Sequence, residues 1–331
     1  MYLKKFCMLI ALICLFGAIF TGCGENSAQS PNKTKNDVLT GGGSKIIYVI
    51  TPSYSNPFFK TEADAASKKA IALGYEVKVV SHDDDVSKQA KLFDAAISDK
   101  AAAIICDNAG ADATMAAIRK AREAKIPTFL IDREINASGV AISQIIANNR
   151  QGAMAIAEVF VEAMEEKGKY AELLGRESDI NAEIRSSAFH EVIDQYSDMQ
   201  LVSQEIANWQ TNEAHQKTMA ILKDYPDIKG IICGNDTMAV GAVEAVKSTG
   251  LDGEIIIVGL DGSDEATEAI KRDLMVGTAL QQAALIAEMA VEQADKYLKE
   301  GKTGKTEKQL IDCIVITKDN VDKLHTFVYT P

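Results

Sequence analysis

The sequence predicts an α/β protein built from two doubly wound, mainly parallel sheets. Strand-like runs rich in Ile and Val alternate with amphipathic helical stretches from residue 45 onward. The alternation comes in two successive series that echo each other locally. A chain of 331 residues also has the length of about two domains at ~100–200 residues each. Alternation of this kind implies right-handed βαβ units and a sheet covered by helices on both faces.

The first series places strands at 45–50, 76–80, 102–106 and 128–132, with helices at 58–73, 86–98 and 112–124, where apolar residues recur at three- and four-residue steps. A long helix at 152–166 leads into the second series. Its strands fall at 169–174, 201–206, 230–233 and 255–259, and its helices near 182–196, 212–223, 237–248 and 264–271. The stretch Ala103-Ile104-Ile105-Cys106-Asp107-Asn108 parallels Gly230-Ile231-Ile232-Cys233-Gly234-Asn235. Two lobes of like topology would enclose a cleft. A tail with a strand at 275–280, a helix at 283–299 and a last strand at 310–317 could cross between the lobes and supply part of a hinge.

Lys and Arg total 35 against 47 Asp and Glu, a net charge of −12 that repels a phosphate backbone and argues against nucleic-acid partners. At the N-terminus, Lys4 and Lys5 precede an uncharged run from Phe6 to Phe20, shorter than the ~20 apolar residues of a membrane span. The run reads as a secretory signal, residues 1–22. Its close, Phe20-Thr21-Gly22-Cys23, resembles the lipobox of bacterial lipoproteins, which implies a lipid on Cys23 and a membrane-anchored, extracytoplasmic protein. Residues 23–44, polar and containing Gly41-Gly42-Gly43, read as a flexible tether. Cys106, Cys233 and Cys313 are widely spaced, odd in number and at or inside predicted strands, so buried free thiols are expected rather than a disulfide framework or zinc site.

Ligands of doubly wound sheets bind beyond the carboxyl ends of the strands, so the residues following each strand carry the functional reading. These are Asn56, Phe58 and Phe59 after the first strand and Asp132 and Arg133 after the fourth. The second half contributes Arg185, Trp209, Asn235, Asp261 and Gln281. Carboxylates accept from hydroxyls, guanidinium groups donate through a rigid fork, Asn and Gln do both, and aromatic rings cover apolar C–H faces. That inventory fits a small polyhydroxylated ligand. Two Asp and two Arg cancel, leaving the ligand neutral. Asn56 before Pro57 is also a good helix N-cap.

At these residues the chain resembles the periplasmic sugar-binding proteins of ABC transporters, in their ribose-binding branch. The likeness runs over 45–322 and is carried by Asn56-Pro57-Phe58-Phe59, Ile131-Asp132-Arg133, Gly234-Asn235-Asp236 with Met238-Ala239, and Val258-Gly259-Leu260-Asp261-Gly262. The resemblance implies that Asn56, Phe58, Phe59, Asp132, Arg133, Arg185, Asn235, Asp261 and Gln281 contact a sugar and that Trp209 stacks on it. It further implies a lobe of 45–147 plus 282–312 and a lobe of 148–281 plus 313–331, closing about a three-segment hinge near Ala147, Gln281 and Asp312. Such a protein would be a monomer without cofactor or metal that hands its ligand to a membrane permease. Leu260 stands where the family has an aromatic and Trp209 where it has a smaller ring. Ribose is therefore disfavoured, while another pentose, a hexose or a sugar alcohol stays open.

Other motifs do not survive inspection. The run Gly301-Lys302-Thr303-Gly304-Lys305-Thr306 lacks the first glycine of a phosphate-binding loop, since Lys299 stands there. His82-Asp83-Asp84-Asp85 lacks the turn glycine of a calcium loop, with Lys88 in its place, and Asp85 or a neighbour caps the next helix. His190-Glu191 lacks a second zinc-binding His. The rival from another class is a glycoside hydrolase using Asp132 and Asp261. It needs one raised carboxyl pKa, and Arg133 and Arg185 are expected to keep both ionised.

Overall fold

The computed structural model describes residues Val38–Pro331. The signal, Cys23 and most of the tether lie outside the described residues.

The first sheet contains β1 (Ile46–Thr51), β2 (Glu76–Ser81), β3 (Ala103–Cys106), β4 (Thr128–Ile131), β5 (Ser143–Ala147) and β11 (Lys308–Ile311), in the order β11-β5-β4-β3-β1-β2 and all parallel. The second contains β6 (Gly168–Leu174), β7 (Met199–Ile206), β8 (Gly230–Cys233), β9 (Ile256–Asp261), β10 (Gly277–Leu280) and β12 (Ile314–Thr317), in the order β12-β10-β9-β8-β6-β7, parallel except for β12. The central strands are buried along most of their length because helices cover both faces. On the first sheet these are α1 (Pro57–Ala72) with α9 (Ala283–Glu300), and α2 (Val86–Ser98) with α3 (Thr114–Glu123). On the second they are α4 (Asn149–Ala163) with α5 (Ile180–Ile193), and α6 (Thr211–Asp224), α7 (Asp236–Thr249) and α8 (Asp264–Lys271). A short hairpin, β13 (Leu324–His325) and β14 (Val328–Tyr329), ends the chain.

Local chemistry sets several helix starts. Asn56 Oδ1 accepts from Phe58 N at 2.9 Å with Pro57 in the first turn, Asp85 accepts from Ser87 N and Lys88 N, and Asn235 Oδ1 accepts from Met238 N at 2.9 Å. Asp236 ties the second lobe together at its strand ends. Its Oδ2 accepts from Gly262 N and Ser263 N, and its Oδ1 from the Thr278 hydroxyl, each at 2.7 Å. Gly259 makes room for it, since a Cβ there would lie 2.3 Å from Asp236 Oδ1.

The chain passes between the sheets three times: from β5 to α4 at 147–149, from β10 to α9 at 280–283, and from β11 to β12 through Asp312 and Cys313. The last passage divides the strand predicted at 310–317 into two, one per sheet, and leaves Cys313 between strands, buried and free like Cys106 and Cys233. β5 has no counterpart in the sequence reading. Only Ile145 and Ile146 are strongly apolar there, and Gln144 is buried by pairing with Ile135 N, Ala137 O and Glu307. Residues 38–44, assigned above to the tether, lie against the first lobe instead. Leu39 is buried in the core with its amide donating to the Tyr297 hydroxyl, and Gly41 N and Gly42 N donate to Lys125 O and Ala101 O. A Cβ on Gly42 would fall 2.3 Å from the Lys100 carbonyl carbon, so glycine here permits a close backbone approach.

Replacing Asp236 by Ala strands two buried amides and a hydroxyl. The expected loss is about 2–4 kcal/mol of unfolding free energy in urea melts, and a loss below about 1 kcal/mol would contradict this account.

Candidate functional site

A small cavity lies between the carboxyl ends of the two sheets. It is lined by Asn56, Phe58, Phe59, Asp132, Arg133, Asp179, Asn181, Arg185, Trp209, Asn235, Asp261 and Gln281, every one less than a tenth exposed.

The first lobe supplies Asn56, Phe58 and Phe59 from the start of α1 and Asp132 and Arg133 from the end of β4. Phe58 and Phe59 meet edge to face, Phe58 also meets Phe327 of the terminal hairpin, and the Arg133 guanidinium lies 5.0 Å from the Phe59 ring centre. The second lobe supplies Asp179 as the cap of α5, Asn181 and Arg185 from that helix, Trp209 before α6, Asn235 as the cap of α7, and Asp261 at the end of β9. Gln281 follows β10 at a passage between lobes. Asp132, Trp209 and Asp261 have φ of +55°, +64° and +141°, conformations non-glycine residues rarely adopt.

Leu260 does not join them. Successive residues of a strand point to opposite faces, so with Asp261 toward the cavity Leu260 enters the core packed under α4 and α5. Its departure from the family's aromatic therefore leaves the cavity wall untouched. The aromatic surfaces are Phe58 and Phe59 on one side and Trp209 on the other. Asp179 and Asn181 line the cavity as well, beyond the residues the sequence predicts. The signal was present: Asp179 is a helix N-cap, accepting from Asn181 N at 3.0 Å, and Asn181 precedes Arg185 by four residues on one helical face.

The charge balance also differs from the expected two against two, because Asp179 makes three carboxylates against two guanidinium groups. Arg185 is held within its own lobe, donating to Asn149 Oδ1 at 2.7 Å and Gly234 O at 2.8 Å, with Asp261 Oδ1 3.7 Å away and the Trp209 ring centre at 5.3 Å. Arg133 reaches across. Its Nη1 donates to Asp84 Oδ1 at 2.6 Å and Asn108 O at 3.0 Å in the first lobe, while its Nε lies 2.7 Å from Asp179 Oδ2 in the second. Trp209 Nε1 donates to the same Asp179 oxygen at 3.2 Å.

Burial pushes the Asp132 carboxyl up to about 6, helped by Asp179 and opposed by Arg133 and Arg185. Burial also raises Asp261 well above the carboxylate range despite Arg185. The two arginines thus do not hold the carboxyls in the ordinary range, because desolvation outweighs them, although Asp132, at about 6, is still largely ionised at neutral pH. Behind Arg133, burial and neighbouring carboxylates raise Glu62 and Asp107 as well. His82 is held neutral, its pKa lowered to about 4 chiefly by burial. Its Nδ1 accepts from Asp84 N, so Nε2 carries the proton and donates to Asp107 O at 2.7 Å. Four cavity atoms have no hydrogen-bond partner among the described residues: Asp132 Oδ1, Arg133 Nε and Nη2, and Gln281 Oε1. Buried polar atoms without partners cost free energy, so an acceptor, a donor and an amide oxygen converging on one small cavity are complementary to a ligand with several hydroxyls.

Two lobes of like topology, three passages between them and a buried polar cavity at their junction define a receptor for a small solute. The chain belongs to the periplasmic binding proteins: the family model described as "Periplasmic binding protein domain" matches residues 47–303, and membership puts the work of the chain outside the cytoplasm. It is 54% identical over 288 residues to a D-apiose import binding protein of Paraburkholderia graminis, covering 87% of this chain and 92% of that one. It is 55% identical over 283 residues to a D-apiose import binding protein of Actinobacillus succinogenes, covering 85% and 91%. Among solved structures, an ABC transporter periplasmic solute binding protein of Actinobacillus succinogenes with bound D-allose superposes with a TM-score of 0.80 at 28% identity, over 84% of this chain and 99% of that one. These relatives are import and solute binding proteins rather than enzymes.

Trp209 is the one tryptophan of the sequence and reports on the site directly. Its ring lies against Gly175, where a Cβ would come within 1.9 Å of Trp209 Cζ2. Gly175→Ala is expected to displace the indole, shift the intrinsic fluorescence to longer wavelength and weaken ligand binding at least tenfold. An unchanged emission spectrum would contradict the packing.

Proposed function

We propose that this protein captures D-apiose, or a closely similar neutral pentose, in the interlobe cavity and delivers it to the permease of an ABC importer. The observation that carries the reading is the set of unpartnered buried atoms Asp132 Oδ1, Arg133 Nη2 and Gln281 Oε1 between aromatic walls. Asn56, Phe58, Phe59, Asp132, Arg133, Arg185, Trp209, Asn235, Asp261 and Gln281 are the residues assigned to the sugar. The two relatives above one-half identity, both D-apiose import binding proteins, support this choice of pentose. Closure follows from the geometry of burial: the lining residues come from both lobes and none is exposed enough to admit a ligand, so entry requires the lobes to part about 147–149, 280–283 and 312–313. One chain supplies the whole lining, which supports a monomer. The lipobox-like sequence at Cys23 supports attachment to the membrane by lipid.

The test is thermal denaturation and calorimetry with D-apiose, D-ribose, D-allose and myo-inositol. D-Apiose at ~1,000 times its Kd is expected to stabilise the fold by about 4 kcal/mol. No stabilisation by any neutral sugar or polyol would refute the reading.

A pH dependence follows from Asp132. In the sugar complex its carboxylate accepts hydroxyl protons, so the ligand favours the ionised form and lowers a pKa that starts at about 6. Affinity is expected to be flat above that pH and to fall by up to about tenfold per unit below it. The contribution is expected to vanish in Asp132→Asn. Calorimetry at pH 7.5, 6.0 and 5.0 measures it; affinity rising on acidification would reverse the assigned protonation state.

A further inference from the structure

We infer that Asp179 makes this cavity select a neutral sugar over the aldonic acid formed by oxidising the sugar's aldehyde carbon. The inference rests on the sugar-binding reading and deepens it. It begins with Arg133, because a guanidinium with two free N–H groups along one edge is a fork that matches a carboxylate.

In this cavity the Nη1 end of Arg133 is engaged by hydrogen bonds, and the Nε–Nη2 edge, without hydrogen-bond partners, has the Asp179 carboxylate set beside it. Nη1 donates to Asp84 and to Asn108 O, and Asp179 Oδ2 lies 2.7 Å from Nε. The Nε contact is ionic, its N–H off the line to the oxygen, and Nη2 is the terminal nitrogen left without a partner. One donor suffices for a hydroxyl. A ligand carboxylate would need the Nε and Nη2 positions together, one of them beside the Asp179 oxygen, and would bring its charge against both Asp179 and Asp132. Asp179 cannot swing aside, because Oδ1 accepts from Asn181 N at 3.0 Å and Oδ2 from Trp209 Nε1 at 3.2 Å.

The arrangement joins the lobes. Arg133 belongs to the first and Asp179 to the second, and Arg176, three residues before Asp179, lies 3.5 Å from Asp84 of the first lobe. The charge filter is therefore complete when the lobes meet, where water is excluded and an unmatched carboxylate is most costly. Asp179 acts on the ligand through Arg133 as a positioning residue, and its product is a choice between two oxidation states of one carbon skeleton.

The experiment titrates wild type, Asp179→Asn and Asp179→Ser with D-apiose and with D-apionate at pH 7.5 by calorimetry. Asn and Ser are both good N-caps, so α5 keeps its start. Wild type is expected to prefer D-apiose by at least 100-fold. Both variants are expected to bind D-apiose more weakly and D-apionate more tightly than wild type, narrowing the preference at least tenfold. Equal weakening of both ligands, with the ratio unchanged, would assign Asp179 a structural role and overturn the inference. So would a wild type that binds both ligands equally, a result that needs neither variant to fold and leaves the sugar-import reading standing. A wild type that binds neither ligand overturns the inference, and the sugar reading falls with it only if no neutral sugar or polyol stabilises the fold.

Discussion

The buried guanidinium of Arg133 is the interaction on which the closed molecule depends. Asp84, Asp107, Asp132 and Asp179 all place a carboxylate oxygen within 4 Å of it, three from the first lobe and one from the second. One cation cannot neutralise four carboxylates in a low-dielectric setting. Burial by itself lowers the pKa of Arg133, but the surrounding carboxylates, Asp179 foremost, outweigh it. The excess negative charge is relieved on the carboxyl side instead: Asp107, Asp132 and Glu62 are all raised, and His82 stays neutral and donates a proton to the Asp107 carbonyl. Such a cluster is costly without a partner, and ligand hydroxyls that donate to Asp132 and accept from Arg133 would lower that cost.

The second lobe is organised differently. Arg185 is satisfied by neutral acceptors of its own lobe, Asn149 and the Gly234 carbonyl. Asp261 is oriented by Gln281, whose Nε2 donates to it at 2.7 Å, and by the turn after β9 that Asp236 holds. Trp209 is flanked by Gly175 and Gly234, so the stacking surface rests on backbone rather than on movable side chains. One half of the cavity is thus built on hydrogen bonds to neutral groups and on backbone, and the other is built on the buried Arg133 and the carboxylates around it. This division suits a receptor that must both recognise a neutral solute and signal that it holds one.

Much of this was readable before any coordinates. Asn56 before Pro57 announces a capped helix, Asn235 announces another, and the polar residues after Ile131 and Leu260 stand where a parallel sheet presents its ligands. These are local rules in which the chemistry of a few consecutive residues decides the outcome. Where neighbours in space rather than in sequence decide, the reading stops short. β5 is held by the pairing of Gln144 with distant groups and lacks a strong apolar signature. The run at 310–317 looks like one strand because hydropathy does not say that Asp312 and Cys313 carry the chain from one sheet to another.

The sequence by itself determined the alternation of strands and helices, the doubling of the fold and the caps that start its helices, because periodicity and capping act over a few residues. Only the tertiary structure decided that Leu260 belongs to the core and Asp179 to the cavity, that desolvation outweighs two arginines at Asp132 and Asp261, and that residues 38–44 pack on a lobe. Each of those outcomes depends on what lies across a cleft or behind a strand. Dielectric surroundings and facing charges are properties of the folded volume, and no stretch of the chain carries them alone.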